Sequence, residues 1–264
     1  MVNIIAHRGA RSLAPENTLA AARKAHGLGA DMWETDVAVT ADDQLVLMHD
    51  DAMTRTTNVA DIFPERVPAA FSTYSLAEIQ SLDAGSWFER DDPFGQVATG
   101  AVDRQELAGY VGEKVPTLRE AFELTLDLDW FLNLELKAQP SPKNDFDLVG
   151  AVLRLADEVE IGANHLLFSS ACFSWLKTLK QRRPEFEVQA ILGLFPDDPM
   201  DFSDPFFDTF NPRLTRVSID QLKTQVELGL RINPFNVNDE EMITRLIEIG
   251  VAGLITDFPQ RVSR

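Results

Sequence analysis

Short apolar runs alternate with helical patterns along most of this 264-residue chain, and this alternation constrains the fold more than any other feature. A segment of strand character followed by one of helical spacing is typical of a parallel β-α-β unit. About eight such strands at this length favour a closed (β/α)8 barrel, the TIM barrel, over an open sheet. The sequence therefore predicts an α/β fold in which residues 1–264 form a single domain.

The predicted elements follow from apolar periodicity and turn residues. We predict strands at 2–6, 32–39, 44–48, 129–136, 165–169, 187–192, 208–210, 230–236 and 253–256. We predict helices at 16–28, 118–126, 145–157, 173–182, 219–228 and 239–249. The segment 51–115 breaks the alternation, is rich in Pro, Asp, Thr and Gly, and is too long for an ordinary loop. We expect it to form a small subdomain, inserted after the second or third strand, that caps one mouth of the barrel.

Composition and charge exclude several classes of partner. A formal net charge of -18 argues against nucleic acid and against an anionic membrane surface, because both bind clustered Lys and Arg. The single cysteine, Cys172, excludes an intramolecular disulfide and a multi-cysteine zinc site. No window approaches the roughly 18 apolar residues of a membrane span, and the first residues show no basic stretch followed by a long apolar run, so we expect no secretory signal. We therefore expect a cytoplasmic protein, not stably inserted in a membrane, that acts on a small molecule; its oligomeric state is left open.

Two pairs of charged residues, each two positions apart, fall on predicted strands. Glu34 and Asp36 project from the same strand face, so their carboxylates can converge on one cation. Glu135 and Lys137 repeat this spacing at the end of an apolar run, where barrel active sites are built. A solvated strand face or a structural ion pair would produce the same spacing. If the three carboxylates meet, their oxygens favour Mg²⁺ or Ca²⁺ over a softer metal.

Two of the four histidines, His7 and His49, follow apolar runs and so fall at strand ends. Imidazole titrates near neutrality and can give or take a proton at working pH, so this pair beside an acidic cluster predicts acid–base chemistry. Either residue alone would be interpreted as a structural imidazole. His26, late in the first helix, and His165, ahead of a strand, are expected to have cap or surface roles.

Arg8 follows His7 directly and precedes Gly9, which allows the backbone to turn tightly. A guanidinium in this position can be aimed at a phosphate through two parallel N–H contacts. An arginine in a loop is usually a surface residue, but these neighbours favour a phosphate-binding role.

The motifs that contain these residues resemble, in order and spacing, the glycerophosphodiester phosphodiesterase family. The first matching segments are His7-Arg8-Gly9, Pro15-Glu16-Asn17-Thr18, Glu34-Thr35-Asp36-Val37, His49-Asp50-Asp51 and Thr54-Arg55-Thr56-Thr57-Asn58. The later ones are Leu82-Asp83-Ala84-Gly85-Ser86-Trp87-Phe88, Val115-Pro116-Thr117-Leu118, Glu135-Leu136-Lys137 and Gly253-Leu254-Ile255-Thr256-Asp257-Phe258-Pro259. The resemblance therefore covers nearly the whole chain.

The resemblance implies a TIM barrel that hydrolyses glycerophosphodiesters to glycerol 3-phosphate and an alcohol. It implies one divalent ion, Mg²⁺ or Ca²⁺, an acid–base pair and two phosphate-binding side chains. The implied metal ligands are Glu34, Asp36 and Glu135. The implied acid–base pair is His7 and His49, and the implied phosphate-binding residues are Arg8 and Lys137.

Two departures from the family pattern lie near the expected barrel mouth. The family's Trp-Thr-Val-Asn on the penultimate strand is replaced by Phe235-Asn236-Val237-Asn238, and Ala171 stands where a Phe is common. Phe235 keeps an apolar wall without an indole N–H, and we expect it to contact the substrate. These changes leave the alcohol preference open.

Two other functions remain as alternatives at this point. One is a lysophospholipase D-like or cyclising lyase activity on lysophospholipids, carried by the same barrel. The other is a metabolite-binding barrel without catalysis, in which the acidic residues form only an ion-pair network.

Overall fold

Eight parallel strands lie side by side around a common interior and form a nearly closed barrel. The structure, a computed structural model, describes residues 1–262. Its strands are β1 (Asn3–His7), β2 (Met32–Val39), β3 (Leu45–Leu47), β4 (Leu132–Leu136), β5 (Leu166–Ser170), β6 (Val188–Leu192), β7 (Thr209–Pro212), β8 (Arg231–Ile232) and β9 (Gly253–Thr256). The order around the barrel is β8-β7-β6-β5-β4-β2-β1-β9, which confirms the predicted TIM-barrel class.

One predicted strand does not belong to the parallel barrel. β3 pairs antiparallel with β2, with Val37 opposite Leu47, and lies off the path of the eight barrel strands. The reason is the short Thr40–Gln44 turn, in which Thr40 N–H bonds the carbonyl of Gln44 and reverses the chain directly after β2. A parallel partner would need a crossover of a dozen or more residues.

The last two strands meet without a regular ladder. β8 has only two residues, whereas the apolar pattern predicted a strand over 230–236. Pro234 has no backbone N–H, so it cannot donate to a neighbouring strand. Backbone hydrogen bonds from Ala252 to Ile232 and from Ile255 to Pro234, at 2.9 and 3.1 Å, nevertheless join the two ends of the sheet.

The helices cover the outside of the barrel or lie between β3 and β4. They are α1 (Leu19–Gly27), α2 (Val59–Ile62), α3 (Leu76–Ser81), α4 (Trp87–Asp91), α5 (Arg104–Tyr110), α6 (Leu118–Asp127), α7 (Leu148–Val159), α8 (Phe173–Arg182), α9 (Ile219–Glu227) and α10 (Glu240–Glu248). The largest apolar cluster lies between the strands and the long helices, where alternate strand residues such as Ala6 and Leu134 meet the helices' apolar faces.

The first helix begins three residues later than its sequence pattern predicted. Thr18 caps α1, because its hydroxyl accepts a hydrogen bond from the N–H of Ala21. Asn17, just before the cap, has a left-handed backbone with φ of 55°. Glu16 and Asn17 are therefore free of the helix, and their buried side chains turn toward the carboxyl end of the barrel.

The barrel interior changes character along its axis. A cluster of buried apolar side chains that includes Ile5, Met32 and Leu167 fills part of it. Among them, the amide of Asn211 donates to Gln189 at 3.0 Å and accepts from Asn233 at 3.0 Å. The charged residues of the predicted site lie farther along the same strands, at their carboxyl ends.

The segment 51–115 contains the short helices α2 to α5 and supplies most of two smaller apolar clusters, which it shares with residues such as Ala38, Val46 and Ala21. It packs on the barrel partly through Tyr110, whose hydroxyl donates to the carbonyl of Leu13 at 3.0 Å. Its treatment as a separate inserted subdomain stays a prediction. Within residues 1–262, no helix combines the length and the apolar character that crossing a membrane requires.

Candidate active site at the carboxyl end of the barrel

Two buried carboxylates and a half-buried one meet where β2 and β4 end. Glu34 and Asp36 lie on the inner face of β2, and the strand register places Asp36 directly opposite Glu135 of β4. One oxygen from each of the three side chains lies within 4.8 Å of the others. The structure thus brings together the three residues that the sequence proposed as metal ligands. Glu135 lies about a hundred positions after Glu34 and Asp36, and the pairing of β2 with β4 in the barrel places it beside them.

The three carboxylates of this acidic triad have strongly shifted pKa values, because they are close together in a buried place. Burial, followed by the charges of Asp36 and Glu135, raises the pKa of Glu34 well above its usual range. Burial and the charge of Asp36 raise the pKa of Glu135 to about 7. Burial also opposes ionisation of Asp36, but Lys137 and Arg8 lower its pKa below the usual range. The cluster therefore has the electrostatic character of a site that gains stability when a cation binds.

Two fully buried oxygens of the triad are left without a hydrogen-bond partner. Glu34 Oε2 accepts from the backbone N–H of Arg8 at 2.9 Å, and Asp36 Oδ2 accepts from the Asn17 amide at 3.0 Å. Glu34 Oε1 and Asp36 Oδ1 are buried and accept no hydrogen bond. Unpaired buried carboxylate oxygens are costly, and a donor set made of oxygens suits a hard divalent ion. The residues present therefore fit a Mg²⁺- or Ca²⁺-type ion.

His7 ends β1 beside this triad. Its Nδ1 lies 2.6 Å from Asp257 Oδ1, and its Nε2 lies 4.0 Å from Glu34 Oε2. Burial, together with the positive charge of Arg8, lowers the pKa of His7 to about 4, so the ring is neutral near pH 7 in the metal-free protein. A proton on Nδ1, donated to Asp257, leaves the Nε2 lone pair directed at the triad.

His49 follows β3 and lines the same cavity as His7. Its Nδ1 lies 2.6 Å from Asp50 Oδ1, and Arg55 Nε donates to the other oxygen of Asp50 at 2.6 Å. Although burial opposes ionisation of Asp50, His49 and Arg55 keep its pKa below the usual range. Both histidines are thus held through Nδ1 by an ionised carboxylate, which fixes each ring and leaves each Nε2 free.

The two predicted phosphate-binding cations lie at the edge of the triad. Arg8 has a left-handed backbone with φ of 56° and is followed by Gly9 with φ of 80°, so the chain turns sharply after β1. Its guanidinium donates to Glu16 at 2.8 Å and lies 3.3 Å from Asp36 Oδ2. Lys137 Nζ donates to the carbonyl of His49 at 2.7 Å and lies 3.6 Å from Asp36 Oδ1. Both cations are therefore fixed by contacts within the protein.

Several residues that hold this arrangement received no role from the sequence. Glu16 binds Arg8 and Arg55, and although burial opposes its ionisation, these arginines keep its pKa well below the usual range. Asp257 sits 250 positions from His7, so no local pattern links the two. Asp50 follows His49 directly, and this His-Asp pair was a readable signal.

Phe235, which the sequence predicted to contact substrate, forms part of the cavity wall and is 9% exposed; its contact with substrate stays a prediction. Asn236, next to it, donates to Asp257 at 3.2 Å and so belongs to the support of His7. Arg213, from the end of β7, also lines the cavity and lies 5.8 Å from the Phe235 ring centre. The substitution of Phe235 for the family's Trp therefore falls at the cavity itself.

The fold and the site together define a (β/α)8 barrel whose carboxyl end brings together three carboxylates, two histidines and two cationic side chains. Comparison with protein families gives the closer assignment. The chain belongs to the glycerophosphoryl diester phosphodiesterase family, whose family model matches residues 7–261. This confirms the resemblance seen in the sequence motifs.

Individual relatives are similar over most of the chain. Mouse glycerophosphoinositol inositolphosphodiesterase GDPD2 is 41% identical over 97% of this chain and 46% of its own length. The chain thus spans about half the length of that relative. A putative glycerophosphodiester phosphodiesterase of Bacillus subtilis, YhdW, is 31% identical over 97% of this chain and 94% of its own length. A phosphodiesterase of Oleispira antarctica, solved in complex with the product sn-glycerol-3-phosphate, is 27% identical with a TM-score of 0.79, covering 98% of this chain and 94% of that one.

Proposed function

We propose that this protein hydrolyses glycerophosphodiesters to glycerol 3-phosphate and an alcohol, using one divalent ion held by Glu34, Asp36 and Glu135. The observation that carries the proposal is a pair of buried oxygens, Glu34 Oε1 and Asp36 Oδ1, that accept no hydrogen bond. They lie beside a third carboxylate and the free Nε2 of His7. This arrangement suits binding of a phosphoryl group next to a proton-transfer group.

The relatives support the reaction and suggest substrates. YhdW carries the name of a putative glycerophosphodiester phosphodiesterase, and the Oleispira phosphodiesterase was solved with sn-glycerol-3-phosphate as product. The mouse relative is named for glycerophosphoinositol. Glycerol 3-phosphate is therefore the product to look for first, and glycerophosphoinositol belongs in any substrate panel.

The bound ion would supply Lewis acidity at a phosphoryl oxygen. His7 and His49 are placed to divide the two proton transfers of the hydrolysis. One imidazole takes a proton as the water oxygen bonds to phosphorus, and the other gives a proton to the alcohol oxygen as its bond to phosphorus breaks. Asp257 and Asp50 stabilise the imidazolium form of His7 and His49, which the base reaches by taking its proton and the acid holds before giving its proton away.

The cations complete the division of labour. Lys137 and Arg8 lie beside Asp36 and offset the negative charge that grows on the phosphoryl oxygens in the transition state. Because both are already fixed by His49 and Glu16, little ordering of these long side chains is required when substrate binds.

A substrate panel tests the proposal. The protein, supplied in turn with Mg²⁺, Ca²⁺ and Mn²⁺, is assayed for glycerol 3-phosphate release from glycerophosphocholine, glycerophosphoethanolamine, glycerophosphoglycerol and glycerophosphoinositol, and again after chelation. We expect release that depends on the ion. Phosphorus NMR of the same reactions, with lysophosphatidylcholine added to the panel, identifies the product: an accumulating cyclic phosphodiester would instead show a cyclising lyase, and binding without product would show a non-catalytic barrel.

Alanine variants test the roles of the histidines. His7→Ala and His49→Ala should each lower turnover by about 10² to 10⁴ with folding retained. His26→Ala is the matched control, because His26 packs against Trp130 outside the site. Near-normal turnover in either active-site variant would remove that imidazole from the mechanism.

A further inference from the structure

Arg213 differs from the other arginines around the barrel mouth, because its guanidinium has no acidic or carbonyl partner among the described residues. The others are bonded: Arg8 to Glu16, Arg11 to Asp257, Arg55 to Glu16 and Asp50, and Arg216 to the carbonyl of Phe195. In a chain with a net charge of -18, an arginine that lines a cavity without an acidic partner is unusual. Its five N–H donors are available to a ligand.

The backbone around Arg213 is fixed, so the guanidinium projects from a rigid support. The N–H of Arg213 donates to the carbonyl of Leu192 at 2.9 Å, and the N–H of Leu214 donates to that of Phe235 at 2.6 Å. Arg213 and Phe235 also form a parallel β-bridge that continues β7 beyond its last regular residue. The Phe235 ring lies 5.8 Å from the guanidinium carbon. This aromatic contact restricts the side chain without using its hydrogen-bond donors.

The described cavity wall has no spare negative charge. Its only acidic residues are Glu34 and Glu135, both assigned above to the divalent ion. Asp50 and Asp257 bind the histidines and do not line the cavity. A substrate portion with a quaternary ammonium group would therefore meet the charge of Arg213 and find no carboxylate to pair with, while the Phe235 ring that could stack on it is already beside a cation.

We propose that Arg213 is a specificity-determining residue that selects the alcohol portion of the substrate. It favours an alcohol that carries no positive charge and offers several hydroxyl oxygens as hydrogen-bond acceptors, such as a polyol, over a choline-type alcohol. This assignment rests on the proposed function for the identity of the phosphodiester. A buried or half-buried guanidinium bonds hydroxyl oxygens strongly, and an alcohol lacking those oxygens leaves its N–H groups unpaired.

Arg213→Gln and Arg213→Lys, assayed with glycerophosphoinositol and glycerophosphocholine, test the assignment. We expect Arg213→Gln to lower kcat/KM for glycerophosphoinositol by about 10- to 100-fold and that for glycerophosphocholine by less than about 3-fold. Arg213→Lys keeps the charge and loses the planar donor set, so it should fall between the wild type and Arg213→Gln. Arg154→Gln is the matched control, because Arg154 is an exposed arginine on α7, outside the barrel.

An equal loss for both substrates would overturn the proposal, since Arg213 would then bind a part that the two diesters share. Values of kcat/KM in Arg213→Gln that equal those of the wild type for both substrates would overturn it as well. Calorimetry with both diesters in the His49→Ala background measures affinity without turnover. If the wild type releases no product from either diester, the proposed function is refuted. The role of Arg213 is still supported if glycerophosphoinositol then binds more tightly than glycerophosphocholine and this difference depends on Arg213. Failure of both diesters to bind would refute both proposals.

Discussion

Replacing Asp257 with asparagine removes the charge that holds His7 while keeping nearly the same side-chain shape. Asp257 Oδ1 lies 2.6 Å from His7 Nδ1, and both side chains are almost fully buried. In the wild type, Arg11 Nε lies 3.3 Å from the Asp257 carboxylate. In the variant this carboxylate is gone, and the positive charge of Arg11 remains close to the His7 ring. The imidazolium that forms when His7 takes a proton is therefore less stable in the variant.

The size of the effect follows from this geometry. A carboxylate this close to an imidazolium contributes about 2 to 4 kcal/mol at an effective dielectric constant near 20. At 1.36 kcal/mol for each factor of ten in rate, we expect kcat to fall about 30- to 1000-fold. Asp257 does not line the cavity, so KM should change little. The pKa of His7, lowered to about 4 mainly by burial and then by Arg8, should fall further because Asp257 raises it.

Steady-state kinetics with a glycerophosphodiester substrate measures the first effect, and an NMR titration of the metal-free protein measures the second. Asp129→Asn is the matched control, because Asp129 also lies beside a histidine, His165, but is exposed outside the site. A folded Asp257→Asn protein with kcat within about 3-fold of the wild type would refute the reasoning, since a charge-assisted hydrogen bond to a catalytic ring is worth more than that.

Two further predictions concern stability. Glu16→Gln should lower the free energy of unfolding at pH 7 by about 3 kcal/mol, because the buried Arg8 loses its nearest carboxylate and keeps only the one of Asp36 at 3.3 Å. Burial opposes ionisation of Glu16, yet Arg8 and Arg55 depress its pKa. The ionised carboxylate therefore stabilises the folded protein above the unfolded pKa of 4.5, and this stabilisation is lost as the pH falls below that value. Urea titrations should show that acid lowers the free energy of unfolding less in the variant than in the wild type. Gly85→Ala should lower the free energy of unfolding by about 3 kcal/mol, since a Cβ there would lie 1.8 Å from the carbonyl oxygen of Tyr110. Gly109→Ala in α5 is the control: its Cβ meets no atom within 4 Å, so it should be neutral or slightly stabilising. Thermal melts in which both variants behave alike would contradict this.

The sequence predicted the barrel well because strands buried on both faces read as continuous apolar runs, and α1 and α6 to α10 are amphipathic. Its errors have local causes. The antiparallel β3 depends on the tight turn after Val39, and the short β8 depends on Pro234, neither of which alters the apolar pattern. The late start of α1 reflects the left-handed Asn17, whose side chain bonds Asp36 instead of joining the helix.

The site was predictable where strand geometry alone places the side chains. Alternation along β2 puts Glu34 and Asp36 on one face whatever the rest of the fold does. The contact between Asp257 and His7 depends instead on the pairing of β1 with β9, which brings together strands from opposite ends of the sequence. The missing acidic partner of Arg213 is likewise a property of the folded surroundings, which no sequence pattern shows.

A metal titration of chelated protein tests the central claim most directly. Calorimetry and turnover are followed together as Mg²⁺, Ca²⁺ or Mn²⁺ is added to the wild type, to Glu135→Gln and to the control Glu248→Gln, whose side chain is exposed on α10. We predict that one equivalent of ion restores activity in the wild type and the control, and that Glu135→Gln neither binds this ion with comparable affinity nor recovers turnover. Full turnover in chelated wild type, or binding and activity in Glu135→Gln equal to those of the wild type, would contradict the assignment of the acidic triad.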